Sequence, residues 1–196
     1  MTTILVTGFG PFPGAPINPT GALVRALEGA RLPRVRLVAH VFETSYAAVD
    51  RDLPALLAAH TPDTLLMFGL APRARLLRVE TLARNVVSHL PDVSGQSLQQ
   101  RTIVPGAPAT RPLPSPARHL VNALCEAGIP VMRSRDAGGY LCNYTCWRAA
   151  EAVAAGNGLR QAAFIHVPLA RRDSRIDFDD LMKAARAALA TMAARH

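Results

Sequence analysis

Two cysteines, Cys142 and Cys146, lie four residues apart in the stretch AGGYLCNYTCW at residues 137–147. Such thiols could form a disulfide, bind a metal, pack in the core or act as nucleophiles. The two glycines in the stretch permit a tight turn, and a helix is predicted from Tyr140 onward. Cys142 would then lie in the first helical turn, where unpaired N–H groups and the helix dipole favour a thiolate and could hold an oxyanion. Cys146, one turn later, is predicted to be a core thiol.

The cysteine count argues against two of these alternatives. The chain has three cysteines, and an odd, sparse set in 196 residues does not indicate a disulfide framework. Two thiols do not complete a zinc site, and no CxxC motif or nearby histidine pair supplies the other ligands. We therefore predict no metal site at these cysteines.

A base for Cys142 could come from the segment FIHVPL at residues 164–169, where His166 interrupts an apolar strand near its C-terminal end. A single histidine in a core strand is more often structural, but active sites of α/β proteins collect at this end of the strands. A Cys–His pair with an orienting acid would follow the general triad logic. Glu80 lies among apolar residues, but spacing alone does not select it, since a lone glutamate is usually solvated.

Apolar patterns that alternate between short strands and longer helices predict an α/β fold, a single-domain α/β/α sandwich spanning 1–196 with a mostly parallel twisted sheet. A long loop is predicted from about residue 90 to 116, rich in Pro, Gly, Ser and Gln. The strands are predicted at 3–7, 35–42, 64–69, 131–133 and 161–167. The helices are predicted to begin near 19, 45, 116, 140 and 178, with Ser45 as the N-cap of the second.

Composition and charge argue against a membrane and against nucleic acid as partners. No apolar run approaches the ~20 residues of a membrane span, and the opening MTTILVTGFGPF reads as a first strand, so a cytoplasmic protein without membrane partners is expected. The formal charge of +8 is almost all arginine, scattered apart from small clusters at 73/75/78 and 171/172/175. Aromatic residues do not interleave with these arginines, so a solvated basic surface is favoured over nucleic-acid binding.

Four segments together resemble pyroglutamyl peptidase type I, also called pyrrolidone-carboxylate peptidase, a family of cysteine peptidases. VTGFGPFPGAPINPT resembles its N-terminal GFxPFgGxxxNPS/T signature. Glu80 to Asn85 fits its ExxAxN pattern, and residues 134–143 fit its SxxAGxYLCN pattern closely. FIHVPL resembles its catalytic-histidine strand, and the resemblance covers essentially the whole chain.

The resemblance implies a phosphorylase/hydrolase-like fold and removal of N-terminal pyroglutamyl (5-oxoproline) residues from peptides. Cys142 would be the nucleophile, His166 the proton carrier and Glu80 the residue that orients His166. An acyl-enzyme would form and be hydrolysed without a metal or cofactor. Members of the family are typically cytoplasmic and often homotetrameric, so a homo-oligomer (tetramer or dimer) is expected.

The resemblance also implies a mostly apolar pocket for the uncharged lactam ring. Asn18 and the backbone around Leu70 would meet the polar atoms of the lactam. The expected walls of the pocket are Phe9, Phe12, Thr44, Leu90, Tyr140 and Leu141.

Two departures from the family pattern bear on specificity. Many members carry glutamine where this chain has Leu70, and many carry an arginine where SHLPD places His89. Arg78 and Arg84 are nearby arginines that could replace it. The departures leave open a thiol amidohydrolase of the same fold with another acyl specificity, and a non-catalytic binding protein is the further alternative.

Overall fold

The chain folds around a six-stranded sheet with helices on both faces. The structure is a computed structural model and describes residues 1–169 and 176–194; the arginines at 171, 172 and 175 lie outside these ranges. The strands are β1 (Thr2–Phe9), β2 (Val35–Phe42), β3 (Thr64–Leu70), β4 (Leu77–Glu80), β5 (Leu82–Arg84), β6 (Thr110–Pro112), β7 (Val131–Ser134) and β8 (Gln161–Val167). The helices are α1 (Pro19–Leu27), α2 (Tyr46–His60), α3 (Ala117–Glu126), α4 (Leu141–Ala154) and α5 (Phe178–Ala193).

The strand order of the sheet is β2-β1-β3-β8-β4-β7. Strands β2, β1, β3 and β8 run parallel to one another, whereas β4 is antiparallel to β8 and parallel to β7. The mostly parallel sheet that the alternating pattern predicts is therefore confirmed, with the direction reversed at its β4–β7 end. Strands β5 and β6 pair separately within the region around the predicted long loop.

The two faces of the sheet are covered by different helices, as period-two alternation along β1 requires. Ile4 and Val6 pack in a cluster with apolar residues of α1, α3 and α5. Leu5 and Phe9 point to the other face and pack in a cluster with residues of α2 and α4, including Trp147. These two layers confirm the predicted α/β/α sandwich.

The helix starts follow from local sequence. The Ser45 side chain accepts a hydrogen bond from the Ala48 N–H at 3.2 Å and caps α2 as predicted. Asn18 caps α1, and Pro19 occupies its first turn, where a missing N–H costs nothing. Pro54 does not end α2, which continues to His60. Within the described ranges, no helix combines the length and apolar character needed to cross a bilayer.

Gly8 sets how closely β1 approaches α1. A Cβ at this position would lie 2.6 Å from the Thr20 carbonyl oxygen, a backbone atom that cannot rotate away. Gly8→Ala should therefore lower the free energy of unfolding by about 1–3 kcal/mol, measured by urea denaturation. The matched control is Gly10→Ala, whose Cβ would meet its nearest atom at an ordinary 3.5 Å. Equal stabilities of the two variants would contradict this packing constraint.

Candidate active site

The strand register places Glu80 and His166 on one face of the sheet. Glu80 pairs with Phe164 across the β4–β8 ladder, and His166 follows two residues later on β8. Because paired residues and residues two apart share a face, both side chains point to the side covered by α2 and α4. Gly69, on the same side, is the register partner of His166 on β3.

Cys142 enters this face from the start of α4. Gly138 adopts a left-handed conformation (φ +84°), and its N–H donates to an Asp136 carboxylate oxygen at 3.0 Å. This turn delivers the chain to Tyr140, the N-cap residue, which makes no side-chain capping hydrogen bond. The Cys142 sulfur thus lies in the first helical turn, as predicted, close to the backbone N–H groups that the start of a helix leaves unpaired.

Gly69 allows the sulfur to lie directly over the sheet. A Cβ at position 69 would lie 2.8 Å from the Cys142 Sγ and closer still to the Phe164 ring. Any other residue here would displace the sulfur or the ring. The glycine that ends the apolar run of β3 is therefore part of the site's geometry.

Glu80 and His166 form a buried ion pair. The His166 Nδ1 lies 2.7 Å from the Glu80 Oε1, and the Glu80 side chain is wholly buried. Burial alone lowers the pKa of His166, but the negative charge of Cys142, a hydrogen bond with Cys142 and the Glu80 carboxylate together raise this pKa to about 9. The raised pKa favours the imidazolium form of His166, and its Nε2 is left for Cys142.

The other two cysteines differ from Cys142 in their surroundings. Cys146 is fully buried in the cluster beneath α4, and burial, reinforced by the charges of Cys142 and Glu80, raises its pKa well above the ordinary value. Cys125 lies exposed on α3, and all three thiols are free. Within the described residues, no group of three or more His, Cys, Asp or Glu residues is arranged to hold a metal ion.

A small cavity of about 40 Å³ adjoins Cys142 and is lined by seven of the eight residues expected to bind substrate. The Asn18 amide is already engaged: its Nδ2 donates to the Gly10 carbonyl, and its Oδ1 accepts from the Thr20 N–H. The lining residues are Phe9, Phe12, Asn18, Thr44, Leu70, Tyr140, Leu141 and Cys142.

Leu90, expected as a wall of this cavity, does not line it, and its side chain is 63% exposed. The reason is the anchoring of its loop. The Tyr140 hydroxyl donates to the Pro91 carbonyl at 3.0 Å, and the Asp92 carboxylate accepts hydrogen bonds from the backbone N–H groups of Tyr46 in α2 and Ser94 in the same loop. His89 is exposed in the same loop.

Arg84, one of the two arginines considered as replacements, is engaged elsewhere. Its guanidinium forms an ion pair with Asp136 at 2.8 Å. The hydrogen bond from Arg84 outweighs the opposing effect of burial and holds the pKa of the Asp136 carboxyl below its usual range. Asp136 in turn accepts from Gly138, so this pair supports the turn before the nucleophile.

Two residues that the sequence reasoning did not select hold the site together. The Asp92 carboxylate accepts from the N–H groups of Tyr46, Ser94 and Gln96, which joins the 88–96 loop to α2. An aspartate between proline and glycine in a loop is a recognisable turn signal. Asn143 is wholly buried in the first turn of α4; it is the last residue of the SxxAGxYLCN pattern, which gave it no role, and its poor helix propensity is a further hint.

A larger cavity of about 670 Å³ lies between α2 and α4 and is lined mostly by apolar residues such as Leu53, Leu57 and Leu159. None of Glu80, Cys142 and His166 lines it. Its size therefore does not make it the catalytic cavity, because Cys142 lines the smaller one.

Asn143 ties the nucleophile's helix to the segment that follows Glu80. Its Oδ1 accepts from the Arg84 N–H at 2.8 Å, and its Nδ2 donates to the carbonyls of Arg84 and Val86. Asn143→Ala removes all three bonds and should lower the free energy of unfolding by about 2–4 kcal/mol, measured in urea. Asn122→Ala, at an exposed position of α3, is the control and should change it by less than about 0.5 kcal/mol. Similar losses of unfolding free energy in both variants would contradict a stabilising role for the Asn143 hydrogen bonds.

Comparison with known proteins agrees with this arrangement. The sequence model of a family described as pyroglutamyl peptidase matches residues 2–185. The pyrrolidone-carboxylate peptidase of Pyrococcus furiosus is 33% identical over 166 residues, 84% of this chain and 80% of that protein. The corresponding protein of Cupriavidus pinatubonensis is 31% identical and covers 97% and 93% of the two chains.

Solved structures show the same fold. The pyrrolidone carboxyl peptidase of Thermococcus litoralis superposes with a TM-score of 0.93 at 26% identity, covering 99% of this chain and 94% of that one. A mutant pyrrolidone carboxyl peptidase from Pyrococcus furiosus superposes with a TM-score of 0.92 at 27% identity and covers 99% of both chains. The chain belongs to the pyroglutamyl peptidase family of cysteine peptidases.

Proposed function

We propose that this chain hydrolyses the amide bond that follows an N-terminal pyroglutamyl residue, with Cys142 as nucleophile, His166 as proton carrier and Glu80 as the residue that orients His166. The observation that carries the proposal is the cavity beside Cys142. It is small and mostly apolar, and its lining includes no carboxylate.

Because the cavity lining has no carboxylate, the cavity suits a peptide with a blocked N-terminus better than one with a free α-amino group. A free α-amino group is positively charged at neutral pH, and burying it without an anionic partner costs several kcal/mol. A lactam ring is neutral, with one N–H donor and one carbonyl acceptor, so it needs only a few polar contacts. Phe9, Phe12 and Leu70 offer apolar walls to such a ring.

In the first half of the reaction, the Cys142 thiolate attacks the carbonyl carbon of the pyroglutamyl residue. The new C–S bond moves the electron pair onto the carbonyl oxygen, and backbone N–H groups at the start of α4 are placed to stabilise this oxyanion. The imidazolium of His166 then gives its Nε2 proton to the departing nitrogen, and the C–N bond breaks.

In the second half, the acyl-enzyme is hydrolysed. The neutral His166 takes a proton from water, the resulting hydroxide attacks the thioester carbon, and pyroglutamate leaves as the thiolate returns. Glu80 holds the imidazole through Nδ1 and stabilises its charged form in both halves, as the acid of a triad does.

We also propose that the full chain acts as one peptidase domain, in the cytoplasm and as a homo-oligomer (tetramer or dimer). Its free cysteines suit a reducing compartment, and the assembly follows from the family resemblance. Light scattering on the purified protein measures the assembly directly.

The direct test is release of the fluorophore from pyroglutamyl-aminomethylcoumarin under reducing conditions, with alanyl-aminomethylcoumarin as the substrate control. Wild-type protein should cleave the first and not the second. Cys142→Ser should lower kcat by at least about 10³-fold because it removes the nucleophile. The matched control is Cys125→Ser, at an exposed thiol on α3 outside the cavity lining, which should retain wild-type activity.

Failure of well-folded wild-type protein to cleave the pyroglutamyl substrate would contradict the proposal. Cleavage of other N-acyl substrates in a panel would then favour a thiol amidohydrolase with a different acyl specificity, for which Leu70 in the cavity wall is the motivating residue. Full activity in Cys142→Ser would exclude the proposed nucleophile.

The raised pKa of His166 predicts how stability depends on pH. The folded-state value of about 9 lies above the ordinary 6.5, so the protonated form stabilises the fold fully below pH 6.5, and this contribution is lost as pH rises through about 9. Urea unfolding should show a loss of a few kcal/mol between pH 7 and 10. In Cys142→Ser the loss should be smaller and begin at lower pH, because the thiolate that raises this pKa is gone. Identical pH profiles for the two proteins would contradict the charged pair.

A further inference from the structure

Arg78 is a cation beside the proposed catalytic residues that the mechanism above does not use. In the antiparallel ladder between β4 and β8, Arg78 is the register partner of His166. Directly opposed residues of such a ladder share a face of the sheet, and their Cβ atoms lie about 4.5–5.5 Å apart. The Arg78 side chain therefore begins beside the His166 ring, on the same face as Glu80 two residues later.

The positive charge of Arg78 is not compensated by the carboxylates on this face. Glu80 is paired with His166 at 2.7 Å and Asp136 with Arg84 at 2.8 Å, and no ion pair between described residues includes Arg78. The hydrogen bond from Arg84 lowers the pKa of the Asp136 carboxyl most, and the charge of Arg78 adds to this effect. The guanidinium of Arg78 is therefore within electrostatic range of the turn that precedes α4.

The sheet is open to solvent on the other side of Arg78. There its register partner is Met132 of β7, the edge strand, and Met132 is 49% exposed. Register partners share a face, so this end of the face that carries His166 is not covered by a helix. A substrate group can therefore reach Arg78 from solvent.

The small cavity beside Cys142 and Arg78 lie on opposite sides of His166. The cavity lining includes Phe9 of β1 and Leu70 of β3, whereas His166 is on β8 and Arg78 is on β4. Because the strand order is β2-β1-β3-β8-β4-β7, a line across the sheet passes first the cavity, then the histidine and then the arginine.

This order sets the direction in which the leaving residue of a substrate extends. A trans peptide bond places the group on its carbonyl carbon and the group on its nitrogen on opposite sides. With the pyroglutamyl ring in the cavity and the leaving nitrogen within hydrogen-bond reach of His166, the leaving residue extends along the sheet toward β4. In a pyroglutamyl dipeptide that residue ends in a carboxylate, whose oxygens lie within about 4 Å of its nitrogen.

We propose that Arg78 binds the α-carboxylate of the leaving residue, so that pyroglutamyl dipeptides are preferred over amidated or longer pyroglutamyl peptides. This inference rests on the proposed function. A guanidinium can donate to both oxygens of a carboxylate at once, which a lysine ammonium does not reproduce. Because every dipeptide carries an α-carboxylate, the selection acts on the length of the substrate and not on the identity of its second side chain.

The contact should act on binding more than on the chemical step. The carboxylate carries the same charge before and during cleavage of the amide bond, so the contribution of Arg78 is uniform and appears mainly in KM. A charge-assisted hydrogen bond at a partly exposed site should favour the free acid over its amide by about tenfold in kcat/KM. Raising the salt concentration from about 0.05 M to about 0.5 M should reduce this preference, because salt screens exposed charges.

The test measures kcat and KM for pyroglutamyl-alanine, pyroglutamyl-alanine amide and pyroglutamyl-glutamate amide by chromatography of the released pyroglutamate. Wild-type protein should prefer the free acid over both amides about tenfold, mostly through KM. Arg78→Gln should reduce this preference to less than about twofold, and Arg78→Lys should retain part of it. Arg118→Gln is the matched control: it removes the same charge at an exposed position of α3, which packs on the opposite face of the sheet, and should keep the full preference.

Four outcomes would overturn the inference and leave the proposed function standing. The first is equal kcat/KM for the free acid and the alanine amide in an enzyme that cleaves both. The second is a preference for the free acid that survives Arg78→Gln. The third is a wild-type preference that does not change with salt, which needs no variant to fold. The fourth is a glutamate amide cleaved as well as the free acid, which would assign the arginine to an acidic side chain. Cleavage of no pyroglutamyl substrate would overturn the proposed function and this inference together.

Discussion

The site depends on a carboxylate that has been removed from water. Glu80 is wholly buried, and its one hydrogen-bonding side chain among the described residues is His166, since its second oxygen has no partner there. A buried carboxylate with so few donors requires a cation beside it, because an unpaired buried charge is strongly destabilising. The imidazolium of His166 meets that requirement, and the same ring is hydrogen-bonded to Cys142.

Three features of the fold position Glu80, His166 and Cys142 relative to one another. The reversal of strand direction between β8 and β4 places Glu80 beside His166 although the two residues are far apart in sequence. Gly69 leaves room for the sulfur above the sheet, and Asn143 joins the start of α4 to the strand after Glu80. The nucleophile and its acid are therefore fixed to the same backbone framework.

Local signals in the sequence predicted the parts of the structure that local physics determines. The cap at Ser45, the apolar strand at 64–69 and the helix start before Cys142 all depend on neighbouring residues. Glu80 could not be selected by spacing because its partnership with His166 depends on an antiparallel register. The family resemblance pointed to Glu80, but it also placed Leu90 in the cavity wall, where the anchored loop leaves it exposed. Asn143 escaped notice because its hydrogen-bond partners lie far away in the chain, beyond the reach of any local pattern.

The most direct test of this account is the rate of alkylation by iodoacetamide at each cysteine at neutral pH, followed by peptide mass spectrometry. Cys142 should react at least about fivefold faster than the more exposed Cys125, because Cys142 is the thiol that is hydrogen-bonded to His166. Glu80→Gln should remove most of that difference by weakening the imidazolium. If Cys142 reacts no faster than Cys125, or if Glu80→Gln leaves its rate unchanged, the buried carboxylate does not activate the nucleophile.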